Sequence, residues 1–214
     1  LSLAAHAEVV SLTSASSGQS LNGQVELLED PGAQLSIDSM ANPAVQQRFI
    51  SANGKASVGQ SRNPWWIKVT LRADATAPRQ WWLEVASVTL LDLQLYLPDG
   101  QGGWHKRQSG EAVSFADGRD YPHRRMLLRL PELGEQPLTF YLRTYDPAGN
   151  SFPLKVWQLE DLKTQAAGDN LWLGVIYGVI TALLLYNLFI FLALRDSAYF
   201  WYVVPTTGAL LMIL

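Results

Sequence analysis

The chain has 214 residues, with 16 Lys and Arg against 19 Asp and Glu for a formal net charge of -3, and no cysteine. That balance offers no basic footprint for a nucleic-acid backbone, and without cysteine there is no disulfide, thiolate metal site or cysteine nucleophile. Beyond position 168 the only charged residues are Asp169, Arg195 and Asp196, so the chain divides into a polar part of ordinary globular composition and an apolar part.

In chain order, the start Leu1-Ser2-Leu3-Ala4-Ala5-His6-Ala7 places small residues on either side of His6. It reads as the remnant of a secretory signal peptide ending in an A-x-A cleavage site, residues 1–7. The first residue is not Met, which marks the chain as a piece of a longer one. From residue 8 to 165 the hydrophobic period is two. Ile67, Val69 and Leu71 alternate with Lys68, Thr70 and Arg72; Leu91, Leu93, Leu95 and Leu97 alternate with Asp92, Gln94 and Tyr96; Phe140 and Leu142 alternate with Tyr141 and Arg143. Such alternation predicts half-buried antiparallel strands. Further strands are expected at 24–28, 81–86, 103–107, 111–115, 125–130 and 154–159, punctuated by Pro98-Asp99-Gly100, Pro131, Asp146-Pro147-Ala148-Gly149-Asn150 and Pro153. Short strands at this spacing predict a mainly β fold, an antiparallel jelly-roll β-sandwich followed by transmembrane α-helices. Only 42–49 reads as a helix in this part, with Asn42 as N-cap and Pro43 in the first helical position.

Between Leu171 and Leu194 no residue is charged. A helix of that length spans roughly 36 Å, enough for a hydrocarbon core of roughly 30 Å, so a first transmembrane helix is expected at 169–194. After Arg195-Asp196-Ser197 a second apolar stretch begins, and 198–214 reads as a second span cut off in its middle. Arg195 follows the first span, and positive-inside reasoning puts it in the cytoplasm and residues 8–168 on the other side, in the periplasm of a bacterial inner membrane.

Several runs together have a familiar order: Trp65-Trp66-Ile67-Lys68-Val69-Thr70-Leu71, Trp82-Leu83-Glu84-Val85, Leu91 to Leu97, then Gly110, Phe115, Arg119, Phe140-Tyr141-Leu142-Arg143 and Phe152-Pro153-Leu154. Gly174-Val175-Ile176-Tyr177-Gly178, Tyr186-Asn187-Leu188 and Arg195-Asp196-Ser197-Ala198-Tyr199 follow. From about Leu21 to the end the chain resembles the periplasmic input domain, of the second type, of bacterial seven-transmembrane receptors with diverse intracellular signalling modules, together with the start of their seven-helix region. The resemblance implies a jelly-roll similar to carbohydrate-binding modules, displayed ahead of seven helices and a cytoplasmic output such as a histidine kinase, diguanylate cyclase, adenylyl cyclase or phosphatase. It leaves the ligand open between a glycan and calcium.

The residues suggest where a ligand would sit. Tryptophan is the favoured platform for the apolar face of a sugar, and the domain carries Trp65, Trp66, Trp81, Trp82, Trp104 and Trp157. Strand alternation sends the two members of each tandem pair to opposite faces, which leaves Trp66, Trp82 and Trp104 as candidates, Trp104 the most exposed of them beside a glycine-rich turn. Arg119, Asp120, Tyr121, His123, Arg124 and Arg125 form the densest polar and aromatic cluster, and of these Arg119, Tyr121, His123 and Arg124 are the ligand candidates, since guanidinium forks could hold a carboxylate or vicinal hydroxyls; an ion-paired surface loop is the alternative. Arg143, between Tyr141 and Tyr145, could clamp a ligand or pair across strands.

No catalytic motif occurs, and the three histidines are scattered, so no enzyme is expected within this segment. A carboxylate pair such as Glu84 with Asp92 is open but unsupported. No cofactor is expected, with calcium possible through Glu26, Glu29, Asp30 and Asp38. In the membrane, Gly174 and Gly178 offer a close-packing face, and the Asn187 amide needs a partner within the bundle. The expected function is that of a sensor: a glycan or other small-molecule ligand biases the domain, or a homodimer of it, and the helices pass the bias inward. The alternatives are a calcium-sensing version and a structural domain with no ligand.

Overall fold

A computed structural model describes residues 9–213 except 88–89, 112, 114–119, 122, 124 and 196. The strands are β1 (Val10–Leu12), β2 (Gln19–Ser20), β3 (Glu26–Glu29), β4 (Ile50–Ser51), β5 (Ser57–Gly59), β6 (Trp65–Ala73), β7 (Trp82–Val85), β8 (Asp92–Pro98), β9 (Trp104–Ser109), β10 (Met126–Arg129), β11 (Leu138–Tyr145), β12 (Asn150–Ser151) and β13 (Leu154–Trp157). The helices are α1 (Pro43–Gln46), α2 (Leu159–Leu194) and α3 (Ser197–Ile213), with a 3-10 helix at Ile37–Ala41.

Two sheets make the sandwich of the N-terminal unit, and β5 and β12 form a separate antiparallel pair. The larger runs β4-β3-β6-β11-β8-β9, with β1 joined in parallel to the far end of β6; the smaller runs β10-β7-β13-β2. Apart from that one parallel pair, every pairing in the two sheets is antiparallel. The chain crosses from sheet to sheet between β6 and β7, β7 and β8, β9 and β10, β10 and β11, and finally β13, which is the winding of a jelly-roll sandwich. Period-two alternation explains the core. Ile67, Val69, Leu71, Leu93, Leu95, Phe140 and Leu142 from the large sheet meet Leu83, Val85, Met126, Leu128, Leu154 and Val156 from the small one, all essentially without solvent exposure. Trp65 packs against this core and Trp81 lies within it, so each tandem pair does send one ring inward.

Pro43 opens α1, and the Asn42 side chain accepts the Ala44 N–H at 2.9 Å. The 3-10 helix and α1 lie in a strap, residues 30–49, that covers part of the outer face of the large sheet and builds a second apolar cluster there from Met40, Val45, Phe49, Leu28, Trp66, Tyr96 and Tyr141. Asp30 anchors the strap: its carboxylate accepts the Gln34 and Leu35 N–H groups and the indole N–H of Trp66. The 2-residue to 3-residue strands β1, β2, β4, β5 and β12 carry too few residues to set up a legible alternation. The strand expected at 111–115 lies largely outside the described residues.

The second unit holds the apolar helices. α2 starts at Leu159, ahead of its uncharged run, and in the stretch that qualifies as a membrane span none of its residues is buried by protein. It ends where Arg195 turns to a positive φ of 54°, its N–H still reaching the Phe191 carbonyl at 2.8 Å. The rings of Phe191 and Phe200 stand 5.5 Å apart across this turn.

Candidate functional site

The register of the large sheet arranges its outward side chains in rows. One row runs Leu28, Trp66, Arg143, Gln94, Gln108, from β3 through β6, β11 and β8 to β9; the next runs Glu26, Lys68, Tyr141, Tyr96, Lys106. The strap packs over the β3 and β6 end of both rows and its cluster extends to Tyr141 and Tyr96, with Trp104 of β9 against it, while Arg143, Gln94 and Gln108 are not members of that cluster. Asp92 holds two amides, Gln94 Nε2 on Oδ2 and Gln108 Nε2 on Oδ1, each at 2.7 Å. Tyr96 donates its hydroxyl to Gln94 Oε1 at 2.7 Å. Burial raises the Tyr96 hydroxyl above its ordinary value of 10.0, while the Arg143 charge pulls it back and Asp92 pushes it up again.

Arg143 is the centre of this face. Its guanidinium carbon lies 6.0 Å from the Trp66 ring centre, and its nearest carboxylate is Asp92 at 3.9 Å. That distance is a Coulombic contact and not a hydrogen bond, and Arg143 Nε is buried without a partner. Trp104, half-buried, packs its edge against Tyr141 with ring centres 5.4 Å apart. Lys106 lies 6.0 Å from the Tyr96 ring centre.

Of the residues singled out from sequence, Trp66, Trp104 and Arg143 therefore come together, but in different states. Trp66 is fully buried, and the expectation that it presents a stacking face is corrected: the strap covers it and Asp30 takes its N–H. Trp82 is also corrected. It stands on the outer face of the small sheet, only 8% exposed, with the half-buried Tyr121 ring edge-on at 6.0 Å. His123 Nδ1 accepts the Arg125 N–H at 3.2 Å. Arg119 and Arg124 lie outside the described residues. Asp92, Gln94, Tyr96, Tyr141 and Gln108 were missed as site residues, although the alternation that predicts β8 already placed Asp92, Gln94 and Tyr96 on one face.

Glu84 and Asp92 share no cleft. Leu83 and Val85 face the core, which turns Glu84 to the outer side of the small sheet, opposite the side that carries Asp92. Glu84 is fully buried there between Arg125 Nη1 at 2.6 Å and the Trp157 N–H at 2.5 Å. Asp120 bridges the two sheet edges, accepting from the Arg107 guanidinium and from the Arg129 N–H. The carboxylates considered for calcium have separate partners: Glu26 pairs with Lys68 at 3.0 Å, Glu29 accepts from Ser61 and Asn63, and Asp30 holds the strap. Among the described residues no group of three or more acidic or histidine side chains is placed to hold a metal. In α2, a Cβ added at Gly174 or Gly178 would meet nothing within 4 Å beyond its chain neighbours and the adjacent backbone of its own helix, and Asn187 Nδ2 donates to the Leu183 carbonyl of its own helix at 2.8 Å.

Residues 22–158 match the family model described as 7TMR-DISM extracellular 2, and residues 169–214 match that described as 7TM diverse intracellular signalling. No curated protein matches the chain. The first match covers more than half of the chain: it belongs to the 7TMR-DISM extracellular 2 family, a sensory domain joined to the seven-helix region of signalling receptors, and it is a membrane protein with an extracellular segment.

Proposed function

We propose that the chain is the sensory input of a bacterial inner-membrane receptor, with residues 8–168 in the periplasm, and that its signal is a glycan docking on the outer face of the large sheet. The observation that carries this reading is the half-buried Trp104 indole, packed against Tyr141 in the row next to that of the amide and guanidinium groups Gln94, Gln108 and Arg143. A sugar needs one apolar platform and several convergent donors and acceptors, and this face offers both. The bound ligand favours one of two arrangements of the domain, or of its homodimer, and the helices carry that preference to a cytoplasmic output such as a histidine kinase or diguanylate cyclase. It can do so only by its difference in affinity for the two arrangements.

The test is calorimetric titration of the chain in lipid nanodiscs with oligosaccharides, before and after Trp104→Ala. Loss of the stacking platform should weaken binding about tenfold, while the melting temperature falls by no more than a few degrees. Unchanged binding in the variant would remove this face from the reading. Thermal stabilisation by calcium but by no glycan would replace the ligand class.

A further inference from the structure

A cation in the middle of a sheet face normally has its donors occupied. Arg143 does not. It sits on β11, flanked in register by Trp66 and Gln94, with only 18% of its side chain exposed. Among the described residues its guanidinium makes no hydrogen bond. Asp92, the neighbouring carboxylate, stands at 3.9 Å, and both of its oxygens are already held by the Gln94 and Gln108 amides. The indole of Trp66 offers its face to the cation and supplies no acceptor. Lys106 adds a second positive charge in the adjacent row. Among the described residues this part of the face thus sets two cations, Arg143 and Lys106, beside one carboxylate that is already held by two amides.

On the reading that this face binds a glycan, we infer that the glycan is acidic, a sugar carrying a carboxylate such as a uronic acid. The Arg143 fork is planar and matches a carboxylate with two parallel N–H···O bonds, a geometry that a hydroxyl pair fills less completely and without charge assistance. Tyr141, against which Trp104 packs with ring centres 5.4 Å apart, lies one row from Arg143 along β11, about 7 Å by the strand repeat. A ring stacked on Trp104 and a carboxylate on Arg143 therefore fall within the reach of a short oligosaccharide.

The experiment titrates the chain in nanodiscs with four probes: tetrasaccharides of glucuronic acid, their methyl esters, tetrasaccharides of glucose, and propionate. The acidic tetrasaccharide should bind about tenfold or more tightly than its ester or the glucose oligomer, since a charge-assisted pair replaces a neutral contact. Arg143→Gln should bring acid and ester to within about twofold of each other, with Arg143→Lys intermediate because it keeps the charge and loses the fork. Equal binding of acid, ester and glucose oligomers would overturn the inference and leave the glycan reading standing. Binding of none would overturn both. Propionate binding as tightly as the acidic tetrasaccharide would also overturn it, because the carboxylate would then be recognised without a sugar. The comparison of acid with ester needs no variant, so it decides the matter even if Arg143→Gln does not fold.

Discussion

Single residues hold this domain to its function through a few positions with no substitute. Gly110 has a φ of +115°, and a Cβ added there would sit 2.6 Å from the Leu91 carbonyl oxygen and 2.8 Å from that of Leu90. Backbone atoms cannot swing aside as a side chain can. Gly110→Ala should therefore cost about 1–3 kcal/mol, read as a drop of several degrees in a thermal melt of the chain in nanodiscs; an unchanged melt would mean that the turn rebuilds itself. Tyr96 and Tyr141 set an alkaline limit. Burial raises both hydroxyls above 10.0, partly countered at Tyr96 by Arg143 and at Tyr141 by the hydrogen bond from Gln46. A raised folded value means that the folded state holds the proton more tightly than the unfolded chain. The stability they contribute is complete below pH 10 and is lost as pH rises through the folded values. Phenolate absorbance should accordingly appear late and together with loss of near-ultraviolet circular dichroism, and Tyr96→Phe should move that transition to higher pH.

At the scale of elements, α2 separates what it satisfies itself from what it leaves for others. Asn187 gives one N–H to Leu183 in its own helix, and the rest of the amide calls for a neighbour in a bundle, where such bonds average about 0.6 kcal/mol and reach roughly 2. Asn187→Leu in the whole receptor should insert at normal abundance and still change basal signalling, because a two-state receptor responds to shifts of about 1 kcal/mol; wild-type signalling with and without stimulus would exclude a role in switching. The strands that faced a core on one side were legible in the sequence because alternation is a direct record of burial: β8 was found to within one residue at each end, and the middles of β6 and β11 were found without their ends. Asn42 and Pro43 likewise announced the start of α1, which ends at Gln46 and not at the expected 49. The strap was not legible, since Asp30, the 3-10 helix and Met40 have no periodicity, and their role is visible only where they close over Trp66. For the same reason Trp66 looked like a platform: parity gives the face of a strand, but not whether a distant segment covers that face. Gln94 lay in plain alternation and Gln108 just beyond the strand expected at 103–107, and their meeting at Asp92 depends on the register of β8 with β9, which no single strand encodes.

The whole molecule joins a polar sandwich to helices that show their apolar surface. A reporter active only in the periplasm should work when fused near Gln165 and fail when fused at Ser197; the reverse pattern would invert the orientation. The last strand of the sandwich then acquires a mechanical meaning. β13 is not at an edge. It is laddered to β7 on one side and to β2 on the other, and the next residue, Gln158, is tied to Ser17 and Ser14. A slip of one residue along such a strand turns every side chain to the other face, which would drive Val156 out of the core and Lys155 into it. The strand therefore has no small sliding motion available. Any load reaching Gln158 is borne in shear by both ladders together, and it displaces the small sheet as one plate before it extends the chain.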